Sequence, residues 1–313
     1  MNKIALVQDP LYLEHLTGAL HPESPQRLKA ISAMLKNSGL ESKTKKLEPR
    51  RATPEEIQLI HTPQLFKQIE ATQYRESTYL DADTHASEKS FLAAESAVGG
   101  LLTALDELLE GNIEQAFCFP RPPGHHAEAH RAMGFCLFNN VAIAAEYALK
   151  KKNLKKVFIY DFDVHHGNGT QHVFEDRADV FYLSLHQYPF YPGTGAASEK
   201  GQGAGEGYTL NLPLPAGCGD KEYLQNIQNQ VEPALLNYKP DLLIVSAGFD
   251  AHQRDPLGGM EVSTKGFRAM AESITKMKIK CGNIPVLYSL EGGYDLQGLS
   301  ESVKEVVEVM LQK

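Results

Sequence analysis

Residues 157–170 read V-F-I-Y-D-F-D-V-H-H-G-N-G-T. Four apolar or aromatic residues predict a buried strand, and Asp161, Asp163, His165 and His166 stand where it ends. Carboxylates and imidazoles set this densely are costly inside a protein unless a metal or mutual pairing compensates them. Alternate residues of an extended chain point the same way, so Asp161, Asp163 and His165 can face one pocket while Phe162 and Val164 face the other side. The alternative is a solvated acidic loop. The rest of the chain decides between the two.

Three other predicted strands end in loops of similar character. Residues 116–119 lead to Arg121-Pro122-Pro123-Gly124-His125-His126, 242–245 to Ser246-Ala247-Gly248-Phe249-Asp250, and 286–290 to Glu291-Gly292-Gly293-Tyr294. Each alone has an ordinary reading as a capping Asp, a satisfied core His or a turn Tyr. Ligands of open α/β sheets bind outside the carboxyl ends of the strands, so four such loops together point to a metal-dependent active site. Asp163, His165 and Asp250 supply two carboxylates and one imidazole. A catalytic zinc site takes three protein ligands and keeps an open position for water, which the metal acidifies while it polarises a carbonyl. The oxygen-rich set also suits Fe(II) or Co(II).

The elements that must position these residues follow from the remaining pattern. Further strands are predicted at 4–7, 180–185 and 208–214. Helices are predicted at 25–36, 87–109, 141–151, 220–236, 264–280 and from about Leu299 onward. Thr53-Pro54-Glu55-Glu56 and Thr62-Pro63 are helix starts with a cap and a first-turn proline. Gly99-Gly100 inside the 87–109 helix implies close packing at that point. Strands alternating with helices predict an α/β fold with a mostly parallel sheet covered by helices on both faces. With no linker, repeat or low-complexity tract, residues 1–313 read as one domain.

Composition narrows the function. The chain is 42% hydrophobic, enough for a real core, and its net charge of −8 argues against nucleic acid or an anionic membrane surface as partner. No apolar run approaches the roughly 20 residues that span a bilayer. The cysteines at 118, 136, 218 and 281 form no C-x-x-C pair and read as reduced thiols. A soluble cytoplasmic protein is expected; a homo-oligomer is left open.

The ordered motifs R-P-P-G-H-H-A, G-F-C-L-F-N-N, D-F-D-V-H-H-G-N-G-T, S-A-G-F-D-A-H and E-G-G-Y closely resemble the zinc-dependent histone deacetylase family. The H-H-G-N-G-T form is similar to its class II branch and bacterial relatives, including acetylpolyamine amidohydrolases. The resemblance runs from about His21 to Tyr294. It implies that Asp163, His165 and Asp250 ligate zinc, that His126 is the general base, and that His125 supports the oxyanion or protonates the leaving amine. It further implies that Asp161 orients His125 and that Tyr294, with the metal, binds the oxyanion. Asn168 stands where much of the family has an aspartate beside the second histidine. An amide stabilises an imidazolium less than a carboxylate does, so His126 is expected to stay a ready base. The other reading of Asn168 is a plain Asn-Gly turn.

The resemblance also implies a structural potassium ion near Asp161, Asp163, His165, Ser184 and Leu185. Gly134 and Phe135 match one wall of an acyl-lysine channel, and Tyr191 replaces the usual phenylalanine of the facing wall. Arg27 matches an internal-channel residue, and Asp83 either matches the rim carboxylate that binds substrate amides or caps a helix. Leu257 stands where polyamine-preferring members carry glutamate, which tilts the expected substrate toward acyl-lysine in proteins or peptides. The same chemistry on acetylpolyamines is the alternative. An arginase-type manganese ureohydrolase needs more carboxylates than His166 and Asn168 provide after Asp163 and His165. A silent acyl-lysine binding module is expected to have lost a catalytic residue, and none is lost.

Overall fold

The structure is a computed structural model that describes residues 3–312. Its ten strands are β1 (Ile4–Val7), β2 (Lys45–Leu47), β3 (Ser77–Tyr79), β4 (His85–Ser87), β5 (Gln115–Cys118), β6 (Val157–Asp161), β7 (Val180–Gln187), β8 (Thr209–Leu214), β9 (Leu242–Ala247) and β10 (Val286–Leu290). Eight of them form one parallel sheet in the order β2-β1-β5-β10-β9-β6-β7-β8, while β3 and β4 make a small antiparallel hairpin. The four strands whose ends carry the candidate chemistry, β5, β10, β9 and β6, are therefore neighbours at the centre of the sheet.

Side chains sort onto the two faces with period two. Val157 and Ile159 of β6 join one core cluster, and Phe158 and Tyr160 join the other. One face is covered by α4 (Ser90–Leu109) and α5 (Asn140–Lys152), with the shorter α2 (Pro54–Ile57), α3 (Pro63–Glu70) and α6 (Asn168–Phe174) beside them. The other carries α1 (Pro25–Asn37), α7 (Asp220–Asn226), α8 (Glu232–Tyr238), α9 (Thr264–Lys280) and α10 (Leu296–Met310). Burial on both faces explains why the central strands are continuous apolar runs instead of alternating ones. This is the expected α/β architecture.

Several boundaries differ from expectation for identifiable reasons. The helix expected from Ser87 starts at Ser90, because Ser87 closes β4 against Ser77 and takes Ser90 Oγ on its amide. The 220–236 helix is interrupted by a π-helical turn at Ile227–Val231 and runs on to Tyr238. The last helix begins at Leu296, where the Asp295 side chain accepts from the Gly298 amide. Gly99 and Gly100 do sit at a close approach: a Cβ on Gly99 would overlap the Arg50 carbonyl. Among the described residues no helix is long and apolar enough to cross a membrane.

Candidate active site

β6 ends at Asp161, and the chain then turns so that Asp163 and His165 meet Asp250 from the loop after β9. His165 Nδ1 lies 3.1 Å from Asp163 Oδ1 and 3.2 Å from Asp250 Oδ2. One donor atom from each of the three residues falls within a 4.8 Å cluster. Burial pushes the Asp250 carboxyl up to about 7, and the Asp163 carboxylate adds to the effect. Burial disfavours the His165 imidazolium too, but the two carboxylates outweigh it and raise that group to about 10. Two crowded buried carboxylates demand a cation, which a divalent ion on this donor set would supply while holding His165 neutral. The residues fit a metal.

Glycine makes the approach of these carboxylates feasible. The Gly292 amide donates to Asp163 Oδ2 at 2.8 Å, and a Cβ on Gly292 would overlap the carboxylate of Asp250. Val164 N donates to the other oxygen of Asp250 at 2.9 Å. Both acids are thus oriented by main-chain amides from the ends of other strands, Asp250 from the adjacent β6 and Asp163 from β10, one strand further on.

The tandem histidines follow β5. His125 Nδ1 sits 3.1 Å from Asp161 Oδ2, and His125 Nε2 is 3.9 Å from Asp163 Oδ1. Burial opposes the charged form of His125, yet Asp163 and Asp161 raise it to about 10; a cation bound to Asp163 cancels part of that field. His126 Nδ1 faces Asn168 Oδ1 at 2.8 Å. Burial, and then the fields of His125 and His165, hold His126 well below its ordinary value. The two imidazoles are therefore set apart as a charged donor and a neutral base, an arrangement suited to acid–base chemistry.

Tyr294 follows β10 and is half-buried, with the Arg27 guanidinium 5.1 Å from its ring centroid. Burial, with the Asp250 field second, keeps its phenol protonated. A cavity of about 500 Å³ opens over the site. His125, His126, His165 and Tyr294 line it together with Gly134, Phe135, Phe190, Tyr191, Leu257 and Asp83. Phe135 adopts φ 68°, a left-handed conformation uncommon for an aromatic residue, and sits edge-on to Tyr294 at 6.0 Å. Tyr191 meets His126 edge-on at 5.1 Å.

A family model, the histone deacetylase domain, matches residues 21–310. The chain belongs to the histone deacetylase domain family. It is 42% identical over 296 residues to histone deacetylase 15 of Arabidopsis thaliana, covering 93% of this chain and 53% of that protein. The chain thus spans about half the length of the plant relative. A probable deacetylase of Archaeoglobus fulgidus is 36% identical, over 92% of this chain and 80% of that one. The crystal structure of the HDA15 HD domain matches with a TM-score of 0.95 at 40% identity, covering 99% of this chain and 88% of that one.

Asp163, His165, Asp250, His125, His126 and Tyr294 converge on one place, with Asp161 and Asn168 directly behind the histidines. Ser184 is fully buried and in register with Asp161, Leu185 follows it on β7, and Ser184 Oγ pairs with His186 Nδ1 at 2.8 Å. Asp83 lies at the cavity mouth in the turn between β3 and β4, so it caps no helix. Arg27 lies behind the cavity wall, not on it. Its guanidinium donates to the Glu291 and Gly293 carbonyls at 2.5 and 2.7 Å and fixes the strand end that carries Tyr294. Asn168 is not a turn residue: it opens α6, a helix that Gly167 and Gly169 disguised.

Four supporting residues escaped sequence reasoning. Phe190 stacks on His165 at 5.4 Å, and only its place beside Tyr191 hinted at this. Glu291 Oε2 accepts from the Gly124 and His125 amides at 2.7 and 3.2 Å, fixing the tandem-histidine loop. Asp255 Oδ2 accepts from the Tyr294 and Asp295 amides at 2.6 and 3.1 Å. Glu128 contacts Asn168 at 2.5 Å.

Proposed function

We propose that the chain is a zinc-dependent hydrolase that removes acetyl, or another small acyl group, from the ε-amine of lysine in proteins or peptides. The observation that carries this reading is the meeting of Asp163, His165 and Asp250 with a charged and a neutral histidine beneath one aromatic-walled cavity. Zinc on the three ligands supplies Lewis-acid polarisation of the amide carbonyl and a more acidic water; Fe(II) or Co(II) also suits the donor set.

The chain's own residues do the rest. Phe135, Phe190 and Tyr191 enclose the apolar lysine stem and limit water around the amide. His126 holds its Nδ1 proton on Asn168 and offers Nε2 to the attacking water, taking one proton as the new C–O bond forms. The Tyr294 hydroxyl donates to the carbonyl oxygen as that oxygen gains charge. His125, held by Asp161, gives a proton to the amine nitrogen as the C–N bond breaks, leaving a carboxylic acid and a free amine. A potassium ion at Asp161, Asp163, His165, Ser184 and Leu185 is part of the proposal, supported by the register that sets Ser184 against Asp161.

Leu257 in the cavity wall favours acyl-lysine over acetylpolyamines, since no carboxylate stands there to read a distal ammonium. The test is turnover of acetyl-lysine peptides against N-acetylated putrescine, cadaverine and spermidine by the zinc-loaded protein. Peptide hydrolysis that collapses in Asp250→Ala and falls about 10²–10³-fold in kcat in Tyr294→Phe is expected. Preference for the acetylpolyamines overturns the substrate assignment. Absence of turnover on every amide overturns the reaction.

A further inference from the structure

The general-base histidine depends on an amide, and an amide has two ends of nearly equal shape and opposite hydrogen-bonding sense. If Asn168 turned its NH₂ toward His126, Nδ1 would become the acceptor, the ring proton would move to Nε2, and the base would be blocked. Something must fix the amide's sense.

The surroundings of Asn168 Nδ2 answer this. It faces Glu128 Oε1 at 2.5 Å, the His126 carbonyl at 3.4 Å and Met133 Sδ at 3.4 Å, all of them acceptors. Glu128 is buried, and the same oxygen, Oε1, also pairs with His172 Nδ1 at 2.9 Å. Asn168 and His172 are four residues apart on α6, hence on one face, and close on the carboxylate as a clip. The Glu128 main chain is tied as well: its carbonyl faces His61 Nδ1 at 3.0 Å and its amide donates to the Arg131 carbonyl at 2.9 Å. Besides His172, the charged group facing this carboxylate is Arg131.

We propose that Glu128 is a positioning residue for catalysis: it fixes the sense of the Asn168 amide and so keeps the proton of His126 on Nδ1, with Asn168 and Glu128 working as a matched pair. This rests on the reading of His126 as the base. It also gives a physical reason for asparagine at 168, where an aspartate would set two carboxylates face to face.

The experiment combines kinetics on an acetyl-lysine peptide with nitrogen NMR of labelled histidine in the zinc-loaded protein. In the wild type, His126 is expected to show a protonated Nδ1 and a free Nε2. Glu128→Gln keeps an acceptor toward Asn168 and retains the tautomer and most of the activity. Glu128→Ala loses the single tautomer, and kcat falls about 10–100-fold with KM within about twofold. Asn168→Asp is expected to be poor, and adding Glu128→Gln restores the pairing and raises kcat at least about tenfold over the single variant, with the acid limb of the kcat/KM profile moved to higher pH than in the wild type. Two results overturn the proposal: an unchanged His126 tautomer in Glu128→Ala, whatever its activity, or a double variant no better than Asn168→Asp alone. An inactive wild type would defeat the deacetylase reading, while the NMR would still decide the role of Glu128.

Discussion

The tandem histidines and Tyr294 are held by carboxylates set behind them. Asp255 illustrates the logic. Its Oδ2 takes the amides of Tyr294 and Asp295, and its Oδ1 takes that of Leu257, so one side chain joins Tyr294 to Leu257 in the cavity wall. Burial raises its pKa, and those amides work in the opposite direction by favouring the charged form. Asp255→Ala should therefore lower kcat about 10–100-fold, as expected when a support behind a catalytic group is lost. Zinc content measured by elemental analysis should stay at the wild-type level, because none of the three ligands is disturbed. A loss of zinc in parallel with activity would show that the role of Asp255 is general to the fold.

At this scale the sequence was informative where chemistry sits within a short motif. Asp161, Asp163 and His165 could be read as one group because they alternate within five residues where a buried strand ends, although β6 itself stops at Asp161 and a turn carries the other two. Glu128, Glu291 and Asp255 could not, because each acts on a group 39 to 167 residues away in the chain. Glu291 even lay inside a recognised motif, but nothing in E-G-G-Y says that its carboxylate reaches Gly124.

Elements were legible in proportion to how strongly burial enforces their pattern. The central strands are buried on both sides and were found nearly to the residue. The edge strand β2 and the β3–β4 hairpin are three residues each and half-exposed, too short for a period to register. Helix α4 shows the opposite case, where a residue that weakens helices proved informative. Gly99 lets α4 approach the irregular segment at Arg50–Ala52, and Ala52 N donates to the Glu95 carbonyl there at 3.0 Å. Gly99→Ala gains helix propensity of up to about 1 kcal/mol but forces a backbone overlap, which costs about 1–3 kcal/mol or more in a tight interior. A net fall in the thermal midpoint is expected by calorimetry. A rise would mean the segment at Arg50 yields freely.

Over the whole molecule, buried charge links the N-terminal loop to the sheet. Glu23, Arg27 and Arg121 are completely buried, and Arg121 holds Glu23 through two bonds of 2.5 and 2.8 Å. Removing one partner of such a pair strands the other, so Arg121→Leu should cost about 3–5 kcal/mol in denaturant unfolding. A cost under about 1 kcal/mol would contradict this placement.

Acid stability follows from a different group. Burial lowers His61 from 6.5 to about 4, and its ring bridges the Glu128 carbonyl and the Asn139 amide. Because the folded value lies below the unfolded one, the stability that His61 contributes is full above about pH 6.5 and is lost as pH falls toward 4. The loss amounts to about 3 kcal/mol. Burial alone would raise the Glu23 carboxyl, but Arg121 and Arg27 hold it well below the usual range, so it stays ionised through this window. His61→Gln should flatten the dependence of unfolding free energy on pH between 6.5 and 4, and an unchanged slope would assign it to other groups.

Hydrolysis by this chain should depend on one divalent ion held by Asp163, His165 and Asp250. The most direct measurement is a zinc titration of chelator-treated protein, following acetate release from an acetyl-lysine peptide and bound zinc in the same samples. No turnover without metal, a linear rise to one equivalent, and neither binding nor turnover in Asp250→Ala are expected. Full activity after complete metal removal, or one tightly bound zinc with no hydrolysis, would contradict it.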